Sequence, residues 1–388
     1  MSELVITNAR IVTMDGDPIP LGTVTAKHGV IESVTPQAQL VDVPDAIDAQ
    51  RRVLMPAFVD GHTHACWAGE RLDEFDMKLK GASYLDILKA GGGIMSTVRA
   101  VRQASESELA DSLTDRLGWM AQEGTLTVEI KSGYGLTTRD ELKMLRAIAA
   151  ATQSAASNGI TVIPTALIAH AIDPDQPDFI ERTISETLDA VHAEFPGITI
   201  DAYCEEGAWS FEDCRRLYDR AMELGHPCRV HADQFNSLGM TRWAAEQGFV
   251  SVDHLEATTP EDLAFLAQSN TFGVMLPCSG FQVDDRYADG RSFVDAGGTP
   301  VIATNCNPGS APTGSMPFAI ALATRKLGLT VHEALAACTV NAAKLLGLND
   351  RGVIAPGKRA DLITLRHTDE RMLAYEFGGN PVEEVFSA

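Results

Sequence analysis

The stretch FVDGHTHACWAGER, residues 58–71, ends an apolar run with two histidines one residue apart. In an extended strand, residues i and i+2 point to the same side. His62 and His64 therefore share a face, and two imidazoles so placed can grip one metal ion. A lone His-x-His is as readily a packing feature. Three more histidines, His170, His231 and His254, sit where other apolar runs end, and that recurrence favours chemistry. His28, His192, His226, His332 and His367 fall at a turn, inside a helical stretch, at a run's start or outside any run's end. Those five read as ordinary exposed or packing residues.

The elements that must position these side chains follow a regular pattern. Eight short runs rich in Val, Ile, Thr and Leu cover 53–64, 126–135, 160–170, 198–207, 228–235, 249–256, 271–280 and 300–309. The segments between them carry apolar residues at helical spacing, with Ser, Thr or Asp near the start and acids in the first turn. Eight strands alternating with helices predict an α/β chain, a TIM-like (β/α)8 barrel. A doubly wound open sheet is the competing architecture. The barrel is favoured because nearly every run ends in polar or ionisable residues, and a barrel's site lies where its strands end. Residues 1–52 and 350–388 instead alternate apolar and polar between turns. They are expected to pair into a small β-sandwich domain, 1–55 with 350–388, beside a barrel of residues 56–349. The GGG at 91–93 reads as a lid hinge or as a plain turn.

Composition narrows the function. The 388 residues are 45% apolar and 22% charged, ordinary for a globular protein. No apolar stretch approaches the roughly 20 residues of a membrane helix, and the start lacks the pattern of a signal peptide. A formal net charge of −22 argues against nucleic acid and against an anionic membrane. Seven scattered cysteines without a C-x-x-C pair suit reduced thiols in a cytoplasm.

DGHTH after the first strand, histidines ending strands five and six, and GVIAPGKRADLI on the return to the small domain resemble the amidohydrolase superfamily of metal-dependent hydrolases. The segments GER, KGASYLDILKAGGGIMSTVRA, VEIKSGYGL, CEEGAWS, HADQF, DHLE and NPGSAPT narrow the likeness. They resemble the branch that opens the cyclic amide of 4-imidazolone-5-propanoate to N-formimidoyl-L-glutamate in histidine breakdown. The resemblance implies a single zinc or iron ion held by His62, His64 and His231, with His254 beside the attacking water as proton shuttle. It implies that Arg71, Tyr84, Tyr134 and His170 hold the substrate's propionate and ring, and that Gln234 and Asn307 hydrogen-bond the ring's polar atoms. The resemblance also implies a homodimer. Independently of the resemblance, an acidic protein that binds an anionic heterocycle needs a local cation. Arg71 offers a two-pronged contact to a carboxylate, and tyrosine a flat face with a hydroxyl.

One position departs from the superfamily pattern. Strand eight normally ends in an aspartate that binds the metal and accepts the water's proton, and here the residue is Asn305. An amide is no base near neutral pH and is a poorer metal ligand, though its carbonyl oxygen can coordinate or orient water. Asn305 is thus both a candidate metal ligand and a candidate catalytic residue. Three readings compete: His254 takes the proton, a carboxylate such as Asp233 or Asp253 replaces the missing one, or the chain is a catalytically impaired binding homologue. Strand alternation counted from the neighbouring histidines points Asp233 and Asp253 away from the barrel interior. Strand four, DAYCEEG, carries no lysine to bridge two metals, so one ion is expected. A related amidohydrolase or a deaminase acting on another heterocycle is the competing enzyme.

Overall fold

The computed structural model describes residues 3–82, 86 and 90–388. The chain opens with five strands: β1 (Leu4–Ile11), β2 (Ile19–Lys27), β3 (Val30–Pro36), β4 (Ile47–Asp48) and β5 (Val53–Pro56). Eight follow in a parallel ring: β6 (Phe58–Asp60), β7 (Thr125–Lys131), β8 (Thr161–Ala169), β9 (Thr199–Cys204), β10 (Arg229–Ala232), β11 (Ser251–His254), β12 (Phe272–Met275) and β13 (Pro300–Ile302). Two more, β14 (Leu362–Leu365) and β15 (Val382–Phe386), return to the first group.

Each barrel strand pairs with its successor in sequence, from β6 to β13. That order is the (β/α)8 arrangement the alternation predicts. Between strands, helices begin where the sequence places a cap. Ser105, Thr137, Ser210, Thr259 and Thr330 each accept from the backbone amide three residues on, and Ser105 and Thr330 complete capping boxes with Glu108 and Glu333. Gly91 and Gly93 have φ of 84° and 80°, a turn leading into the helix Ile94–Gln103. Tyr84 and most of its neighbours lie outside the described residues.

The ring closes without a ladder between its first and last strands, β6 and β13, and the seam is joined just beyond their ends. His64 N–H donates to the Cys306 carbonyl at 3.0 Å and Asn305 N–H to the His62 carbonyl at 3.1 Å. Asp60 accepts from the Thr304 hydroxyl and amide across the same gap.

The termini form one sheet in the order β15-β14-β5-β1-β2-β3, with β4 beside β1. β1 runs parallel to β4 and β5 and antiparallel to β2, so the sheet is mixed. Its turn at His28–Gly29, φ 52° and 77°, is a two-residue hairpin of the type that needs positive φ at both positions. A side chain at Gly29 would also meet the C-terminal Ala388 at 2.8 Å. The apolar run 53–64 is divided between the two sheets. Val53–Pro56 pairs with β1 and β14, Ala57 N–H donates to Asp361, and Phe58 N–H then donates to Gly124 of the barrel. Among the described residues no helix is long and apolar enough to cross a membrane. All seven cysteines are buried free thiols.

Candidate active site

β6 ends at Asp60, and the chain continues extended through Gly61 to His62, Thr63 and His64. A side chain at Gly61 would meet Leu345 at 2.9 Å, so glycine lets the run pass close to the outer helices. From across the barrel, β10 carries His231 to the same point. The Nε2 of His64 lies 3.3 Å from that of His62 and 3.2 Å from that of His231, and all three rings are buried. These three form the one group of candidate metal ligands found among the described histidines, cysteines and carboxylates.

The outer nitrogens decide what the inner ones can do. His62 Nδ1 is held by Asp253 Oδ2 at 2.6 Å, and His231 Nδ1 by Asp201 Oδ1 at 3.1 Å. A carboxylate can only accept, so each Nδ1 carries the proton and each Nε2 presents a lone pair. Burial holds His62 and His64 well below the usual histidine range, with the Lys131 charge adding to His62 and His170 to His64. Burial also lowers His231, against the pull of Asp201. His64 Nδ1 is buried without a partner. Neutral rings crowding lone pairs at one buried point repel one another unless a cation stands among them. The donor set, three neutral imidazoles with two carboxylate partners behind them, fits a divalent metal.

Beneath the trio lies a layer of charges the sequence analysis did not find. Lys131 Nζ donates to Glu129 Oε1 and Asp201 Oδ2, each at 2.8 Å, and Arg229 Nη2 donates to Asp253 Oδ2 at 2.6 Å. Asp253 thus faces inward, contrary to the alternation argument. The reason is His254, whose φ of 91° breaks the strand geometry from which the alternation was counted. Engaged by His62, Arg229 and Ser251, Asp253 is no spare base. Asp233 points elsewhere and accepts from Thr241 and Thr258. A signal for this layer was present as ionisable residues at i and i+2 within apolar runs, Glu129 with Lys131 and Arg229 with His231.

Above the trio opens a cavity of about 650 Å³. His64, His231, His254, Arg71, Tyr134, His170, Gln234, Asn305 and Asn307 all line it. His254 Nδ1 contacts Glu256 Oε1 at 3.2 Å, which leaves Nε2 for the cavity. His170 stacks on His64 with ring centres 4.9 Å apart, and its Nδ1 donates to the Gly133 carbonyl. Burial, with His231 beside it, pushes His170 down to about 3, so this ring is neutral. Burial raises the Tyr134 hydroxyl, which therefore stays protonated, with Arg71 near enough to oppose the shift. Arg71 Nε and Nη2 grip Glu74 at 2.8 and 2.5 Å. Its Nη1 packs where a side chain at Gly309 would collide, at 2.4 Å. Gln234 Oε1 accepts from the Tyr203 hydroxyl at 2.8 Å, which orients the amide so that Nε2 is the end left for a ligand.

The two asparagines differ. Asn305 adopts φ 57°, a left-handed conformation that Asn tolerates. Its Nδ2 reaches Ser310 at 3.4 Å, and its Oδ1 is buried without a partner. Asn307 is spent within its own loop. Its Nδ2 donates to the Asn305 carbonyl and Ser310 Oγ, and its Oδ1 accepts from the amides of Gly309 and Ser310. Both its amide hydrogens and its oxygen are thus engaged within the loop from Asn305 to Ser310.

A model of the amidohydrolase family matches residues 80–374, and the chain belongs to that family. The 5-methylcytosine deaminase from Klebsiella pneumoniae, liganded with 5-fluorocytosine, superposes with a TM-score of 0.78 at 18% identity, covering 99% of this chain and 96% of that one. N-isopropylammelide isopropylaminohydrolase from Burkholderia multivorans gives 0.71 at 16%, covering 100% and 97%. At these identities the likeness is one of fold. Curated relatives are closer in sequence. The imidazolonepropionase of Herpetosiphon aurantiacus is 44% identical, covering 95% of this chain and 89% of the relative. That of Symbiobacterium thermophilum is 40% identical, covering 98% and 95%. Within the amidohydrolases, the chain groups with the imidazolonepropionases.

Proposed function

We propose that this chain is a hydrolase that opens the cyclic amide of 4-imidazolone-5-propanoate to N-formimidoyl-L-glutamate. The observation that carries the reading is the convergence of three imidazole Nε2 atoms at the floor of a cavity that also holds one arginine. His62, His64 and His231 would hold one zinc or iron ion, with the orphaned Oδ1 of Asn305 as an oxygen donor to the ion or to water. Bound there, the ion supplies Lewis acidity, which makes water a competent nucleophile at neutral pH.

This chain's own groups do the rest. His254 accepts a proton at Nε2 as water attacks the ring carbonyl, then returns it to the departing ring nitrogen. Glu256 fixes the tautomer that makes Nε2 the acceptor. Arg71 meets the propionate through Nη1, because Glu74 takes the Nε–Nη2 edge that the sequence offered for a two-pronged contact. Tyr134 and the Gln234 amide donate to the substrate's oxygen and nitrogen acceptors. Neutral His170 offers a flat face and Nε2 toward the ring. Asn307 holds the loop from Asn305 to Ser310 in shape. This reading includes a unit of residues 1–55 with 350–388 beside a barrel of 56–349, a homodimer, and action in the cytoplasm.

The test combines metal analysis with turnover of the imidazolone, with and without its propionate. One metal per chain and formation of N-formimidoyl-L-glutamate are expected. His254→Ala is expected to lower kcat by about 10²–10⁴-fold with metal content unchanged. Turnover that ignores the propionate, or binding without turnover in metal-replete protein, overturns the assignment.

A further inference from the structure

The reaction as described uses none of the charges under the ligand trio, and one of them is costly. Lys131 is fully buried, and so are Glu129, Asp201 and Asp253 around it. An ammonium in a protein interior is retained only when paired and hydrogen-bonded, and an apolar side chain of similar volume often serves folding as well or better. None of these groups, nor Arg229, lines the cavity, so none touches a substrate there. Their contacts run to the histidines instead. Asp201 divides its oxygens, Oδ1 to His231 and Oδ2 to Lys131. Lys131 Nζ also lies 3.9 Å from the Asp253 oxygen that holds His62.

We infer that Lys131 is a positioning residue that fixes the two carboxylates orienting His62 and His231, and so sets metal affinity. The inference rests on reading the trio as a metal site. Without the ammonium, Asp201 loses its second anchor and is free to rotate, and the His231 ring rotates with it. The layer counts three carboxylates against two cations, Lys131 and Arg229. Its one excess negative charge favours a cation directly above.

The experiment titrates the full chain with zinc against a chromophoric chelator. Lys131→Met is compared with wild type, with Lys131→Arg, and with the charge-balanced pair Lys131→Met plus Glu129→Gln. Zinc affinity is expected to fall about 10–100-fold in both methionine variants, as for other partners that orient metal ligands. Lys131→Arg, which keeps the charge and the donors, is expected to recover part of the loss. The melting temperature of the metal-free charge-balanced variant is expected to match or exceed wild type, which a purely structural lysine would not allow. Unaltered zinc affinity in the charge-balanced variant overturns the inference. So does a chain that folds with no replacement at 131, because the lysine is then a folding element. If wild type itself binds no more zinc than His231→Ala, the metal-site reading falls instead.

Discussion

The interior of the terminal sheet and the layer beneath the barrel mouth are equally buried and differently made. Ile6, Ile11, Val24, Ile31, Leu54 and Leu362 fill the first with side chains that need no partner. The second is filled by Asp60, Glu129, Lys131, Asp201, Arg229, Asp253 and three histidines, all but His64 fixed by named hydrogen bonds or ion pairs. Burial of apolar area stabilises the first region without fixing any atom precisely enough for chemistry. The second gains little net stability from its ion pairs, and what it gains is the direction of three nitrogen atoms. Stability and position are thus supplied by different parts of the chain.

Four substitutions can break or sharpen that contrast. His231→Ala removes a ligand and leaves Asp201 without its imidazole. Metal stoichiometry should drop from one toward zero, and turnover by more than about a thousandfold, while the far-ultraviolet circular dichroism is unchanged. Leu54→Ala, in the apolar region, should cost about 2–5 kcal/mol in chemical denaturation. Its metal content and kcat should match wild type, and a loss of metal would show that the regions are not separable. Arg71→Met should lower kcat/KM for the propionate-bearing substrate by the worth of a charged hydrogen bond, about 1.5–3 kcal/mol. A carboxylate-free analogue should be indifferent to the change.

The smallest effect concerns pH. Burial, with Glu129 adding to it, raises Asp60 to about 7 in the folded chain, against about 4 when unfolded. A raised folded value means that its contribution to stability is complete below about pH 4 and is lost as pH rises through about 7. In metal-free protein, Asp60→Asn should flatten the fall in melting temperature between these limits. A pH profile identical to wild type would show that Asp60 is already stabilised as a carboxylate.

The barrel was legible because its strands end in conspicuous residues. His62 and His64 beyond β6, His170 after β8, His231 in β10 and His254 at the end of β11 mark four of the eight strand ends. Two things were not legible, and both are consequences of backbone geometry. Alternation assumes a continuous strand, and His254 at φ 91° violates it, so Asp253 turned out to face inward beside His62. The apolar run 53–64 also reads as one strand. Only the change of hydrogen-bond partner between Ala57 and Phe58 divides it between two sheets. The hydrogen-bond partners of Asn307 were hidden for another reason. Its type suits ring recognition, but neighbours two and three residues away satisfy it first.

The seam at His64–Cys306 and His62–Asn305 has a consequence for how this barrel can change. Here the last stitch is made by the main chain of two residues that line the cavity, His64 and Asn305, to the carbonyls of Cys306 and His62. A substitution that shifts the main chain at 62, 64 or 305 therefore loosens the ring and detunes the pocket in one stroke. Variation at position 305 is confined to side chains that accept a left-handed backbone, a short menu in which asparagine and aspartate stand next to each other.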